Sequence, residues 1–335
     1  MSGAQRFRPG ATGRFRLGRK KGGAEMILTV TLNPCIDHTV KVEGFAPGGT
    51  NRILASRSDA GGKGVNVSAA LKNLGEDTRC LGLNFRQNGA FLTDVLRSRG
   101  IDCDFAEVNG ALRTNIKIFD AATGVMSELN ERGPEVGPEA LEEFEIILER
   151  CLPGASLLIL DGSVPPGVPA AYYRTLTERA AWHGVRTVLD ARGELLLEGI
   201  RARPCLIKPN REELEEAAGE RIVSRRDAVR AARRLIGLGA GMVCASLGRD
   251  GALLVTAGEA YFSAGADIPV RGVQGAGDAL VAGMSYAMVR GLPLPEILRY
   301  GVAAAHGSLI LEGTQMCGRG DFMKMLPRIS AERMD

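Results

Sequence analysis

The sequence predicts an α/β protein with a central, mostly parallel β-sheet, flanking helices and a small β-sheet lid. Short apolar runs typical of buried strands alternate with stretches of helical periodicity, as in parallel sheets that are covered on both faces. Two segments, residues 34–60 and 104–130, instead alternate polar and apolar residues, which predicts antiparallel strands outside the main sheet. These two segments form the predicted lid of a single domain that spans residues 26–330.

The elements of the main sheet follow in order along the chain. Apolar runs rich in Val, Ile and Leu predict strands at Ile27–Leu32, Ser156–Leu160, Thr187–Leu189, Cys205–Ile207 and Met242–Leu247. The intervening patterns predict helices at Val65–Leu74, Ala90–Arg99, Pro138–Cys151, Pro169–Trp182, Glu212–Ala218 and Arg226–Leu238. Because parallel strands end at the same edge of a sheet, ligand binding is expected at motifs that directly follow a strand.

Charge and hydropathy narrow the classes of partner. Residues 1–25 hold seven basic residues and one acidic residue, and the rest of the chain carries a net charge of −3. We expect this basic tail to be solvated and disordered, with nucleic-acid binding as the minor alternative. The mildly acidic body does not suggest a nucleic-acid partner. No apolar run reaches the ~18 residues that a membrane-spanning helix needs.

Cysteine and histidine usage excludes several kinds of site. The seven cysteines include no closely spaced pair, which predicts reduced thiols in a cytoplasmic protein. The three histidines do not have metal-ligand spacing. The sequence therefore predicts neither a disulfide framework nor a zinc site, and it disfavours a histidine-dependent triad.

The most informative motif is Gly275-Ala276-Gly277-Asp278, which precedes a helical stretch. Small residues at a helix start leave backbone N–H groups accessible, and the helix dipole adds positive potential there. An anion hole with an adjacent carboxylate suits the transfer of a phosphoryl group to a hydroxyl, because the carboxylate can take the hydroxyl proton. The alternative is that Asp278 only caps the helix.

Two motifs near the first predicted strand indicate a polar ligand. Gly61, Gly62, Lys63 and Asn66 lie at the start of a predicted helix, where N–H groups, a cation and an amide converge. Asp37 follows the first strand, and its carboxylate can accept hydrogen bonds from sugar hydroxyls. A glycine-rich turn with a solvated lysine and a turn aspartate are the alternatives.

Two further motifs follow predicted strands in the second half of the chain. Lys208-Pro209-Asn210 leads into Glu213, so Asn210 and Glu213 either form a helix capping box or lie near Mg²⁺ and its water ligands. The segment from Ser246 to Gly251 contains two glycines, and it is either a simple hairpin or a surface for a nucleotide.

The order of these motifs resembles that of the ribokinase-like (PfkB) carbohydrate kinases over residues 26–315. The segment Thr31–Asp37 is similar to a narrower branch, the 1-phosphofructokinases and tagatose-6-phosphate kinases. The segment Leu112–Ile118 resembles the corresponding strand of the 1-phosphofructokinases more than that of the tagatose-6-phosphate kinases. The segment Gly162–Gly167 is also similar to a motif of this branch. The resemblance implies a ribokinase-like fold that often dimerises through its lids. It also implies ATP- and Mg²⁺-dependent phosphorylation of fructose 1-phosphate to fructose 1,6-bisphosphate. The alternatives are tagatose-6-phosphate kinase and a non-catalytic sugar-phosphate sensor.

The resemblance also implies roles for individual residues. Asp278 is the implied base, and the implied anion hole consists of Gly275, Ala276 and Gly277. The implied sugar-phosphate ligands are Asp37, Gly61, Gly62, Lys63, Asn66, Arg113 and Lys117, the last two facing the phosphate. The implied ATP ligands are Lys208, Asn210, Ser246, Gly248 and Gly251. Asn210 and Glu213 are the implied Mg²⁺ ligands, through water.

A few positions depart from the family pattern. Asp161 begins an Asp-Gly-Ser sequence where Ser-Gly-Ser is usual, and Gly272-Val273-Gln274 precedes the anion hole where a threonine-containing sequence is common. Thr114 and the segment Asn84–Gln87 also differ from the usual loop. These departures concern the preferred substrate and leave the reaction class unchanged.

Overall fold

The computed structural model describes residues 26–311, 313 and 315–334, so the basic tail lies outside the described residues. The strands are β1 (Met26–Thr31), β2 (Cys35–Val42), β3 (Ala55–Gly61), β4 (Thr78–Phe85), β5 (Asp102–Val108), β6 (Arg113–Asp120), β7 (Val125–Leu129), β8 (Ala155–Asp161), β9 (Arg186–Asp190), β10 (Leu206–Ile207), β11 (Val243–Ser246), β12 (Ala252–Val255), β13 (Ala260–Ser263) and β14 (Glu332–Met334).

Most of the helices that cover these strands agree with the helical patterns of the sequence, but those at Gly193–Ile200, Leu294–Leu309 and Arg319–Met325 were not predicted. They are α1 (Lys63–Leu74), α2 (Ala90–Ser98), α3 (Pro138–Cys151), α4 (Tyr172–Trp182), α5 (Gly193–Ile200), α6 (Arg211–Ala218), α7 (Arg225–Leu238), α8 (Ala276–Val289), α9 (Leu294–Leu309) and α10 (Arg319–Met325). Local signals explain their ends. For example, Ser224 and Asp227 form a capping box at the start of α7, and Gly75 ends α1 in the left-handed conformation.

The main sheet has the strand order β14-β13-β12-β11-β10-β9-β8-β1-β4-β5. The strands from β11 to β5 along this order pair in parallel, whereas β12, β13 and β14 extend the sheet in antiparallel fashion. The predicted mostly parallel sheet is therefore confirmed. Because β14 pairs with β13, the folded body continues past residue 330, where the predicted domain ends.

A second, four-stranded sheet has the order β3-β2-β6-β7 and corresponds to the predicted lid. Two details of the prediction were wrong. The segment 104–108 belongs to β5, which pairs in parallel with β4 at the edge of the main sheet. In addition, β2 pairs with β6 in parallel, although the other two pairings of the lid are antiparallel. The alternation of polar and apolar residues predicted the strands correctly, but it does not indicate whether neighbouring strands pair in parallel or antiparallel fashion.

The hydrophobic core lies between the main sheet and the helices on its two faces. Strands β1 and β8 are almost fully buried, as expected for parallel strands with helices on both sides. Helix α8 packs between α1 and α9, and backbone approaches closely at Gly283, where an added Cβ would lie 2.8 Å from the Ala304 Cβ. In the part of the chain that is described, no helix combines the length and apolarity that crossing a membrane requires.

Candidate active site

A cleft opens at the carboxyl ends of the central strands β1, β8 and β9, below the lid. Its wall includes charged and polar side chains from several elements: Asn33, Lys63, Arg113, Asp161, Arg192 and Glu213. In open parallel sheets, ligands bind at the carboxyl ends of the strands, in the crevice where the connections of two neighbouring strands leave toward opposite faces of the sheet. Three residues of the predicted site, Lys63, Arg113 and Glu213, thus meet in one cleft although they lie far apart in the sequence.

The start of α8 contains the residues of the predicted anion hole. Gly275 adopts the left-handed conformation with φ of 73°, and no side chain caps the helix. The N–H groups of Ala276, Gly277 and Asp278 therefore have neither an intrahelical partner nor a side-chain cap. A Cβ added to Gly277 would lie 3.5 Å from the Lys208 Nζ, so a buried ammonium group lies against the same turn. Backbone dipole and lysine together favour an anion there.

Asp278 joins this turn to the other glycine-rich motif. Its side chain is buried, and its Oδ2 accepts a hydrogen bond of 2.8 Å from the Asn66 Nδ2 in the first turn of α1. Gly62 precedes α1 with φ of 120°, a conformation that glycine adopts readily. Burial raises the pKa of Asp278 above its ordinary value, while the Lys63 ammonium and the Asn66 hydrogen bond oppose this rise. Two predicted motifs therefore meet at one carboxylate.

Three buried carboxylates form what we call the acid cluster: Asp161, Asp190 and Asp278. Their oxygens lie within 4.8 Å of one another. Two lysines neutralise much of this charge. The Asp190 Oδ2 lies 3.2 Å from the Lys63 Nζ and 3.1 Å from the Lys208 Nζ. Two positive charges therefore lie beside the three carboxyl groups.

The lysines hold Asp190 in its charged form. Burial alone would raise the pKa of Asp190, but Lys208 and Lys63 outweigh burial and lower it. Burial lowers the pKa of Lys63 and Lys208 in turn, but Asp190 together with the other nearby carboxylates outweighs burial, so the pKa of both lysines is raised. Asp161 behaves differently, because burial and the neighbouring Asp190 raise its pKa well above the usual range.

The lid contributes a second polar site above the cleft. Asp37 is buried in β2, where the Asn115 Nδ2 and the Lys117 Nζ each donate to its carboxylate at 3.0 Å. Lys117 is itself buried, so the structure places its ammonium against Asp37. Arg113 lies on the cleft wall, and its Nε and Nη2 donate to the Asn33 carbonyl oxygen at 3.2 and 3.0 Å. These bonds hold the guanidinium group in one orientation.

The predicted nucleotide residues surround the ends of β10 and β11. Asn210 and Glu213 form both hydrogen bonds of a capping box at the start of α6, which confirms the capping interpretation. The Glu213 side chain also lies on the cleft wall, so capping does not remove it from the site. Ser246 forms an isolated β-bridge with Asn210.

Gly248 and Gly251 flank the short turn after Ser246, with φ of 62° and 101°. The turn joins β11 to β12, as the hairpin interpretation predicts, and it leaves its backbone exposed at Gly248, where nothing would contact an added Cβ within 4 Å. An exposed turn of this kind is compatible with a nucleotide lying against the backbone.

Substituting Gly61 with alanine should raise the KM for the substrate that this motif is predicted to bind by about tenfold. An added Cβ would lie 2.6 Å from the Cys35 Sγ and 2.7 Å from the Asp37 Oδ2, so the buried carboxylate must move. Overpacking of this kind costs ~1–3 kcal/mol. Steady-state kinetics with Gly237→Ala as the control would test this, because an added Cβ at Gly237 in α7 meets nothing within 4 Å. Equal KM values in the two variants would contradict the prediction.

Sequence reasoning missed four residues that the structure brings to the site. Asp190 ends β9 and could have been found, since it directly follows the predicted strand Thr187–Leu189. Asn33 follows β1, and Asp161 is the last residue of β8. In the sequence, Asp161 stands out only as a departure from the family pattern. Arg192 precedes α5, a helix that the sequence patterns did not predict, so no motif indicated it.

Comparisons with known proteins agree with this geometry. Residues 30–318 match the family described as pfkB family carbohydrate kinase. The chain is 36% identical over 316 residues to a 1-phosphofructokinase of Bacillus subtilis, covering 92% of this chain and all of the relative. It is 34% identical over 301 residues to a D-tagatose-1-phosphate kinase of Bacillus licheniformis, covering 90% and 96% of the two chains.

Solved structures show the same fold. The crystal structure of phosphofructokinase-2 from Escherichia coli in complex with potassium superposes with a TM-score of 0.86 at 27% sequence identity. The superposition covers 91% of this chain and 99% of that one. The predicted ribokinase-like fold is thereby confirmed. Since the family model spans most of the chain and full-length relatives exceed 30% identity, this protein belongs to the pfkB family of carbohydrate kinases and is a sugar-phosphate kinase.

Proposed function

We propose that this enzyme transfers the γ-phosphoryl group of ATP to the O6 hydroxyl of fructose 1-phosphate, giving fructose 1,6-bisphosphate and ADP. The single observation that carries the proposal is the buried Asp278 carboxylate, held by Asn66 at a helix start with accessible N–H groups. The 1-phosphofructokinase relatives support fructose 1-phosphate as the acceptor. Arg113, fixed on the wall of the same cleft, suits a substrate that already carries a phosphate.

In the proposed mechanism, Asp278 accepts the proton of the acceptor hydroxyl while that oxygen bonds to phosphorus and the bond to the leaving ADP oxygen breaks. The N–H groups at the start of α8, formed by Gly275, Ala276 and Gly277, stabilise the charge of the phosphoryl group in transfer. Lys63 and Lys208 add positive charge beside this turn, and Asp190 holds both ammonium groups in place.

The remaining polar groups orient the acceptor. Asp37, Gly61, Gly62 and Asn66 hold the sugar, and Arg113 binds its existing phosphate. We assign Lys117 to the orientation of Asp37, because its ammonium donates to that carboxylate inside the lid. This assignment replaces the contact between Lys117 and the substrate phosphate that the resemblance implies.

On the nucleotide side, we propose that Lys208, Asn210, Ser246, Gly248 and Gly251 line the ATP site. Carboxylate and amide oxygens suit Mg²⁺, and Glu213 fits because its carboxylate lies on the cleft wall, beside Asn210. Asn210 and Glu213 would hold the ion through water, and when bound it would neutralise charge on the ATP phosphates.

A coupled assay for ADP release tests the proposed function. Fructose 1-phosphate should give the highest kcat/KM among fructose 1-phosphate, fructose 6-phosphate, tagatose 1-phosphate and tagatose 6-phosphate. Tagatose 1-phosphate is included because one relative is named a D-tagatose-1-phosphate kinase. This sugar phosphate also carries its phosphate on the same carbon as fructose 1-phosphate. Higher kcat/KM with either tagatose phosphate would make this enzyme a tagatose-phosphate kinase. If none of the four sugar phosphates led to the release of ADP, the result would favour a sugar-phosphate sensor.

The pH dependence of kcat/KM should show an acid limb above the ordinary carboxyl range. Asp278 accepts a proton only in its charged form, and burial raises its pKa. Activity should therefore fall as the pH decreases through the raised pKa, at a pH above the ordinary value of ~3.9. Measuring kcat/KM from neutral pH downward, with enzyme stability checked at each pH, tests this. A profile that stays flat to about pH 4 would remove Asp278 from the role of base.

We also propose that the protein is a cytoplasmic homodimer that pairs through its lids. The lid exposes large apolar side chains: Ile53, Leu54, Ile116, Val125, Met126 and Leu129. Several exposed apolar side chains on one small sheet are typical of an interaction surface. All seven cysteines are free thiols, which is typical of a reducing compartment. Sedimentation equilibrium would report the assembly state, and a monomer would contradict this proposal.

A further inference from the structure

Asp161 is a buried carboxyl group without a hydrogen-bonding partner. Its side chain is 0% exposed, and neither Oδ1 nor Oδ2 has a hydrogen-bond partner among the described residues. Leaving a buried acceptor or charge unsatisfied costs stability. Asp161 nevertheless ends β8 among the residues that line the cleft, so a bound ligand would lie next to it.

Charge balance in the acid cluster singles out this carboxyl group. Three buried carboxyl groups face two ammonium groups, of which that of Lys208 is buried and that of Lys63 is partly exposed, so one retained proton gives a neutral cluster. Asp190 lies against both lysines, at 3.1 and 3.2 Å, and is therefore charged. Asp278 accepts a hydrogen bond from Asn66 and lies at the positive end of α8, and both interactions favour its anion against the opposing effect of burial.

Asp161 has much weaker support for a negative charge. Its nearest cation is the Lys63 Nζ at 3.8 Å, beyond hydrogen-bonding distance. The other ionisable groups that face it are Asp190 from β9, Asp278 from α8, Lys208 after β10 and Tyr173 from α4. Two of these groups are carboxylates, and the tyrosine hydroxyl donates its hydrogen bond to the Gly162 carbonyl oxygen instead.

The structure assigns to Asp161 the role of a neutral O–H donor: its carboxyl group keeps a proton and donates it in a hydrogen bond to an oxygen of the phosphoryl group in transfer. This inference rests on the proposed function. The proton stays on Asp161 throughout, so no bond to it breaks during the reaction. An incoming phosphoryl group adds further negative charge beside Asp161 and thus favours the protonated form more. Burial and Asp190 also raise the pKa of this group, which agrees with the assignment.

The assignment explains the departure of the sequence from the usual Ser-Gly-Ser pattern. A serine hydroxyl at this position is a neutral O–H donor, and a protonated carboxyl group is another. The neighbouring Gly162 has φ of 101°, and its N–H donates to the Asp190 carbonyl oxygen at 2.9 Å. This turn fixes the backbone at Asp161. A serine side chain and an aspartate side chain would therefore start from the same backbone position.

Three substitutions separate a neutral donor from a charged group. Asp161→Asn and Asp161→Ser retain a neutral donor and should keep kcat within about threefold of the wild type, whereas Asp161→Ala should lower it by about 10²-fold. In the wild type, kcat should also fall as rising pH deprotonates Asp161, and this basic limb should be absent from Asp161→Asn. The matched control is Ser285→Ala, which removes another buried hydroxyl without a partner, from α8, and should leave kcat unchanged.

An infrared measurement tests the proton directly and needs no sugar phosphate. The difference spectrum between the wild type and Asp161→Ala at neutral pH should contain the carbonyl band of a protonated carboxylic acid. A carboxylate band in its place would overturn the inference, and so would an Asp161→Asn variant as inactive as Asp161→Ala. If the wild type released no ADP with any ketohexose phosphate, the proposed function would fail, while the infrared band would still decide whether Asp161 carries the proton.

Discussion

Replacing Asp278 with asparagine should lower kcat by about 10²–10⁴-fold, the usual contribution of a general base. Asparagine has nearly the same shape and can still accept the Asn66 hydrogen bond through its side-chain oxygen. It cannot accept the hydroxyl proton. The anion hole and the sugar-binding residues stay in place, so the KM values for ATP and fructose 1-phosphate should change little. Steady-state kinetics on the purified variant would measure both parameters.

A matched control for this variant is Asp321→Asn. Asp321 also lies in the first turn of a helix, α10, and it pairs with Lys324 on the exposed side of that helix. This control should retain the kcat of the wild type, because it removes the same charge from a helix start outside the cleft. If Asp278→Asn turned over at a near-normal rate, another group would have to be the base.

Replacing Arg113 with alanine should raise the KM for fructose 1-phosphate by about 10–100-fold, since a hydrogen bond to a charged group contributes ~1.5–3 kcal/mol. The guanidinium group is held by the Asn33 and Glu131 carbonyl oxygens, so it is already oriented before a ligand arrives. Because the proposed contact of Arg113 is with the phosphate that does not react, kcat and the KM for ATP should change much less. Initial rates over a range of sugar-phosphate concentrations would measure the effect.

Two further variants sharpen this prediction. Arg113→Lys should give an intermediate KM, because lysine keeps the charge but loses the planar arrangement of donors. Arg97→Ala, in α2, removes an exposed arginine whose side chain is 72% exposed, and it should leave the KM unchanged. An unchanged KM for the sugar phosphate in Arg113→Ala would exclude Arg113 from the substrate site.

Local patterns in the sequence predicted much of the fold and part of the site. Helix α3 coincides with the predicted Pro138–Cys151, because a proline and an acidic residue mark its first turn. The glycine-rich turns before α1 and α8 were found because glycine at a helix start leaves backbone N–H groups accessible. These features depend on neighbouring residues, which the sequence displays directly.

Features that depend on distant residues were predicted less well. The parallel pairing of β2 with β6 joins segments about 80 residues apart, and alternating residues do not specify strand direction. Lys117 was expected at the substrate phosphate, but its side chain lies against Asp37 of the neighbouring strand. Asp190 positions the ammonium groups of two lysines, Lys63 and Lys208, which come from different elements. Such partners emerge only when the strands are placed side by side.

The hydrogen bond between Asn66 and Asp278 spans 212 residues of sequence. A chain that is still being synthesised can fold its first glycine-rich turn long before Asp278 exists, and until then Asn66 has nothing to hold. Contacts of such long range also form late, since closing a long loop carries an entropic cost. Since Asp278 is the proposed base, truncated products that end before α8 should be inert, however much of their sheet has formed. Catalytic competence should appear only once nearly the whole polypeptide has been made.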